Sequence, residues 1–261
     1  MKTMSVLSFF LMGIVAAGCG GNGSPPFGDP DASTDTDADS DGDTDVDTDT
    51  DTDTDNELDI SVCAPENGPF SLEIDNPFFP LPVGRQLVLE GDDAGALLRV
   101  EFTVLDETED VDGVTTRVIE EMESEDDVLV EISRNFFVQA PDGTVCYYGE
   151  DVDIYDETGT NIVAHDGAWR AGVDGALPGI QMPAAPEVGM EYDQEVAPGV
   201  AEDHAEIMAM GEPLGVPAGE FDDTLRTTET SALESGTSLK IYVSGIGMAV
   251  DDTIELIEYT E

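Results

Sequence analysis

The chain has 261 residues, with 60 acidic against 8 basic side chains, a formal net charge of -52 and three cysteines. That length suits one sizeable folded domain plus extensions. A surface this acidic repels nucleic acid and anionic headgroups, whose phosphates need Lys and Arg, so nucleic-acid binding is excluded as a function.

Residues 1–18 read as a secretory signal peptide, because Lys2 precedes an apolar run from Val6 to Ala17 and small residues close it. The run is too short for a membrane-spanning helix. Its end, "VAAGC", resembles the lipobox of bacterial lipoproteins, with Ala16, Ala17, Gly18 and Cys19 at the four positions. The resemblance implies that Cys19 is diacylated and becomes the N-terminus, and Gly20 in place of Asp implies delivery to the outer membrane. The family usually carries Leu where Ala16 stands, and cleavage as an ordinary secretory signal is the alternative. Each buried acyl methylene contributes about 0.8 kcal/mol, so several chains anchor firmly.

Residues 19–59 hold the anchor cysteine and an acidic linker. From Gly20 to Asp59 there are fourteen Asp and one Glu, with no Lys or Arg, and Asp occupies every odd position from Asp35 to Asp55. Few apolar groups are present to offset an ordering cost of roughly 1–2 kcal/mol per residue, so the segment is expected to be disordered. "DADSDGDTD", Asp37 to Asp45, matches part of a calcium-binding loop, but Thr48 stands where a bidentate Glu is required. Strict alternation generates such a partial match by itself, and the tract reads as a spacer. Fully extended it would reach on the order of 130–145 Å. It resembles the Asp/Thr stalks that follow the lipid cysteine in some bacterial surface lipoproteins.

Residues 60–261 change character, with aromatics, β-branched residues and regular turn signals. Alternation in "RQLVLEG", "LLRVEFTVLDE", "TTRVIEEM", "DVLVEISRNFFVQA", "TVCYYGEDVDIYD", "NIVAHDG", "AEIMAM", "DDTLRTTETSAL", "SLKIYVSGIGMAV" and "DTIELIEYT" predicts about ten strands. Turn chemistries such as "EDVDG", "APDG" and "DETGT" separate them. The expected fold is all-β: one antiparallel domain whose sheet curls into a partial barrel or sandwich to bury one face. Gly167 to Glu195, rich in Gly and Pro, is expected to cross the sheet as a long ordered segment. Export makes a Cys63–Cys146 disulfide the default reading, worth a nominal 4–5 kcal/mol, with two free thiols as the alternative.

The pieces "DNPFFPLPVGRQLVLEG", "YYGEDV", "VPAGEFDDTLRTTET" and "YVSGIGMAV", with the whole of Gly167 to Ile207, resemble a family of uncharacterised exported bacterial proteins. "VPAGEFD" followed by a "GIG" strand is also similar to exported half-barrel proteins shaped like periplasmic lipoprotein carriers, which bears on fold alone. The resemblance implies no activity.

Chemistry is sparse. Of two histidines, His204 shares "AEDHAEI" with Glu202, Asp203 and Glu206, and His165 precedes Asp166. Carboxylates beside a histidine are expected in so acidic a chain, and no metal site or cofactor is assigned. The Gly-x-Ser-x-Gly elbow is absent, and "VSGIG" reads as a strand bend or bulge. Trp169, Arg170, Ile180 and Met182 in the crossing segment are candidate ligand or partner contacts. Phe78 and Phe79 in "NPFFPLP" read as an edge or lid over the core. The expected function is non-catalytic binding, by a monomeric lipid-anchored envelope or cell-surface domain, of an unknown protein or a small apolar ligand. A secreted hydrolase and a structural coat or stalk protein are the rivals.

Overall fold

Strand-forming alternation governs the architecture from the first turn after the linker. The structure, a computed structural model, describes residues 56–93 and 95–260. The expected signal peptide, the candidate lipidation residue Cys19 and the Asp/Thr tract lie outside the described residues. A pair of short 3-10 turns opens the fold, with the Asp59 carboxylate accepting from the Ser61 N–H as an N-cap. Sixteen strands follow. The first six are β1 (Gln86–Asp93), β2 (Ala96–Val111), β3 (Val114–Glu125), β4 (Val128–Gln139), β5 (Val145–Tyr155) and β6 (Ile162–Ala164). The crossing segment carries β7 (Trp169–Arg170), β8 (Gly179–Met182) and β9 (Glu191–Asp193). The chain continues through β10 (Asp203–Met210), β11 (Leu214–Val216), β12 (Gly219–Phe221) and β13 (Thr224–Ser231). It ends with β14 (Ser238–Val243), β15 (Gly247–Asp251) and β16 (Ile254–Tyr259).

Fourteen of these strands form one sheet in the order β6-β5-β4-β3-β2-β1-β16-β15-β14-β13-β10-β9, with β7 and β8 both paired to β5; β11 and β12 form a separate hairpin. Each of these strands pairs antiparallel with its neighbours. The end strands β6 and β9 do not pair with each other, so the sheet stays open. A sheet this wide must curl to bury a face, and register shifts at Val104/Thr108, Asn135/Phe137, Ile207/Ala209 and Ile241/Tyr242 supply local bends. The curl brings distant strands together: the Glu121 carboxyl on β3 senses the Lys240 ammonium on β14, although four strands separate them in the sheet order.

The all-β class and the curled antiparallel sheet match the expectation; the strand count does not. "SLKIYVSGIGMAV" is two strands, because Ser244 to Ile246 form a reversing turn with Gly245 at φ +79°, so that Val243 pairs with Gly247. The sequence predicts a strand bend or bulge there, not a full reversal. The other additional strands are two to four residues long, in the crossing segment and in "LGV" and "GEF", too short for alternation to register.

The crossing segment docks on β5 by backbone pairing. Gly149 permits this: at φ +130° it pairs with Arg170, and a Cβ there would overlap the Trp169 carbonyl oxygen. Gly179 packs equally close to the Gln194 carbonyl. Cys63 and Cys146 form a disulfide across 83 residues, with Cα atoms 5.5 Å apart, and the Tyr148 hydroxyl donates to the Cys63 carbonyl at 2.5 Å. Among the described residues no helix is long and apolar enough to cross a membrane.

Candidate functional site

"DNPFFPLPVGR" forms a lid across the apolar end of the curled sheet. Asn76 fixes its start: Nδ2 donates to the Pro183 and Gly143 carbonyls at 2.9 and 3.2 Å, while Oδ1 accepts from the Phe78 N–H at 3.0 Å. The Gln139 side chain receives the Asp75 and Asn76 N–H groups, and the Gly245 N–H donates to Pro77 O at 2.7 Å. At the far end, Arg85 Nη1 donates to the Gly245 and Ile246 carbonyls at 2.8 and 3.0 Å, tying the lid to the turn between β14 and β15. Phe78, Phe79 and Leu81 are buried, and the Phe79 ring meets Phe137 edge-on at 5.3 Å and Tyr242 at 6.4 Å.

Beneath the lid lies a cavity of about 40 Å³. Its roof is Phe79, Pro80 and Leu81, and its walls include Leu87 of β1, Phe102 and Val104 of β2, Phe137 of β4 and Met248 of β15. Polar groups enter at two places: Arg85 beside the lid, and Glu121 of β3 with Asn135 of β4. Pro80 and Leu81 also border an outer groove of about 450 Å³ with Ile74, Val83 and Arg117, so the lid is a thin wall with space on both sides. The cavity has room for a few waters or for a short apolar group, since one water needs roughly 10–15 Å³.

Away from the lid the interior turns polar. Glu121, Glu123, Glu150, Glu195, Glu229 and Asp251 are buried, and Lys240 is the buried cation among them, its ammonium 2.8 Å from Glu229. Burial, reinforced by Glu131 and Glu123, holds the Glu121 carboxyl well above the usual carboxylate range. Glu150 and Glu195 are raised in the same way, first by burial and then by their acidic neighbours, each other's carboxyl included for Glu150. Asp251 is pushed up to about 7 by burial, against the pull of Lys240. A carboxyl in low dielectric keeps its proton when no cation balances it. Glu121 Oε2 is buried and accepts no hydrogen bond from a described residue.

Of the four contact candidates in the crossing segment, Trp169, Ile180 and Met182 are 5%, 1% and 0% exposed. They face the interior because β7 and β8 pair with β5; the Trp169 ring meets Tyr147 edge-on at 5.2 Å. Arg170 is half-buried, paired with Glu109 and Asp151 at 2.8 and 2.7 Å and placed over the Phe136 ring. The cavity is therefore lined by the lid and the sheet, and these four residues are not among its lining. Sequence reasoning marked Phe79 as a lid but passed over Glu121 and Asn135.

Both histidines sit among acceptors. His204 Nδ1 is 2.9 Å from Asp193 Oδ1 on the paired strand β9, with Glu191 3.5 Å from Nε2, so its partners are cross-strand and not Glu206. Glu57, Asp193 and His204 offer ligand atoms within 4.8 Å of one another. His165 Nδ1 contacts Val152 O at 2.7 Å and Asp153 at 2.9 Å.

No family model matches the sequence. No curated protein matches it either. Two solved structures are similar in shape, each at 14% identity over 71% of this chain. The first, from Bacteroides fragilis and named as exported with a YmcC-like fold, is covered over 100% of its length with a TM-score of 0.31. The second, from Parabacteroides distasonis and named as a lipoprotein, is covered over 99% with a TM-score of 0.36. At that level the likeness carries no argument about activity.

Proposed function

We propose that this chain is an exported, lipid-anchored envelope protein whose β domain binds a small apolar ligand without catalysis. The observation that supports the reading most is the cavity under the Phe79–Leu81 roof, whose walls are almost wholly aliphatic and aromatic. Such a chamber lacks the converging nucleophile, base and orienting group that hydrolysis requires, whereas it suits burial of apolar surface. Cys19 would hold the domain at the membrane and the Asp/Thr tract would space it from the lipid.

Two measurements test the reading. Propane dissolved with the full chain carrying Cys19→Ala should raise the melting temperature by mass action. Val104→Phe, which fills the chamber, should abolish that rise while leaving the circular dichroism spectrum unchanged. A melting temperature insensitive to saturating propane would remove the binding function. Separately, Cys19→Ala should move the protein from the membrane to the soluble fraction, and unchanged membrane retention would remove the anchor.

A further inference from the structure

The cavity's apolar walls do not account for its polar corner. Glu121 is 6% exposed, lines the chamber beside Asn135, and leaves Oε2 without a hydrogen bond from any described residue. Asn135 Oδ1 is already occupied, accepting from the Tyr147 hydroxyl at 2.7 Å. A buried carboxyl oxygen left bare is costly, so a native interior supplies a partner for it or accommodates one.

The surrounding charge decides what that partner can be. Acting on Glu121 are Glu123 on its own strand, Glu131 on β4 and Asp251 on β15, all acidic; the opposing ammonium is Lys240 on β14, which is 2.8 Å from Glu229. From β5, Glu150 adds a further acid, with Tyr147 beside it. Arg85 lines the same chamber, but two turn carbonyls hold its Nη1. The carboxyls of this corner keep their protons for want of a balancing cation; an ammonium would supply one and let Glu121 ionise, while an anionic head would oppose that ionisation. The corner thus selects a donor with positive charge.

We propose that the ligand of this cavity is a small apolar amine, its ammonium donating to Glu121 and its hydrocarbon part lying between Phe79, Phe102, Val104 and Met248. The inference rests on the binding function proposed above and adds the head group. On binding, the ammonium replaces the proton held by the Glu121 carboxyl, which leaves to solvent, so charge in the chamber is balanced.

The probes are propane, ethylamine and acetate, short enough for the cavity and titrated calorimetrically into the full Cys19→Ala chain at pH 5.5. Ethylamine should bind at least about tenfold more tightly than propane, as a charge-assisted hydrogen bond allows, and acetate more weakly than either. In two buffers of different ionisation enthalpy, ethylamine should release about one proton and propane none. Glu121→Gln, whose fold is checked by circular dichroism, should erase the preference for the amine and keep propane binding. Equal affinities for propane and ethylamine, no proton release, or a preference surviving in Glu121→Gln would overturn the head-group assignment and leave the apolar site standing. Failure of all three probes to bind would overturn both.

Discussion

At the residue scale the unusual feature is acid in the interior. Lys240 lies 2.8 Å from Glu229, and its own ionisation is pushed up, because the acids around it outweigh the cost of burying its charge. The other buried carboxyls have no described ammonium so close, and burial pushes them toward the protonated form against a weaker pull from Lys240. Asp251 is raised from 3.8 to about 7, so the folded state binds its proton more tightly than the unfolded chain. Its contribution to stability is full below pH 3.8 and is lost as pH rises through about 7. Glu121, Glu123, Glu150 and Glu195 are shifted in the same direction, so they extend the loss. The melting temperature should therefore fall from pH 5 to pH 8, and Asp251→Asn should flatten that fall. An unchanged slope in the variant would show that Asp251 does not titrate there. These acids were not legible in the sequence, for a definite reason. In "VIEEMES" the usual alternation is reversed, since Glu121 and Glu123 are buried and Met122 between them is 38% exposed. On β5 the kink at Gly149 shifts the register, and Glu150 turns inward with it.

At the scale of elements, β1 to β5 were legible because apolar and β-branched runs extend over eight to sixteen residues between turn signals; burial alternates cleanly along much of β2 and part of β3, while β5 opens with six buried residues in a row. The crossing segment was legible as ordered but not as strand, since backbone pairing to β5 over two to four residues leaves no periodic trace. What secures that region is covalent as well as packed. The disulfide ties the opening turns to β5, the strand that also carries β7 and β8. Replacing both cysteines by serine should cost about 2–5 kcal/mol, the range for native disulfides in secreted domains. For a domain of this size each kcal/mol lowers the melting temperature by roughly 2–4 °C. Calorimetry on the double variant should show a drop on the order of 10 °C, and the same drop should follow reduction of the wild type. A loss under 2 °C would mean that the opening turns are held by packing around Tyr148 and Phe70 alone.

At the scale of the whole molecule, charge sets the balance. From Ile60 onward 45 acidic side chains face seven basic ones, and the folded state crowds most of the acids onto one surface. Most visible ion pairs involve half-exposed arginines, such as Arg99 with Glu90 and Glu101, and exposed pairs contribute only about 0–1 kcal/mol each. They cannot cancel the self-repulsion of so many uncompensated carboxylates, which is relieved when the chain unfolds and expands. Screening should relieve it in the folded state too. Raising ionic strength from 0.1 to 1 M shortens the Debye length from about 10 to about 3 Å, less than the spacing of many surface charges. The melting temperature at pH 7 should rise with salt, and sodium chloride and tetramethylammonium chloride should raise it alike. A clearly larger effect of sodium would point to a bound cation instead of screening. No rise with either salt would show that this acidic surface carries little strain, and that the fold's acid problem lies wholly inside the sheet.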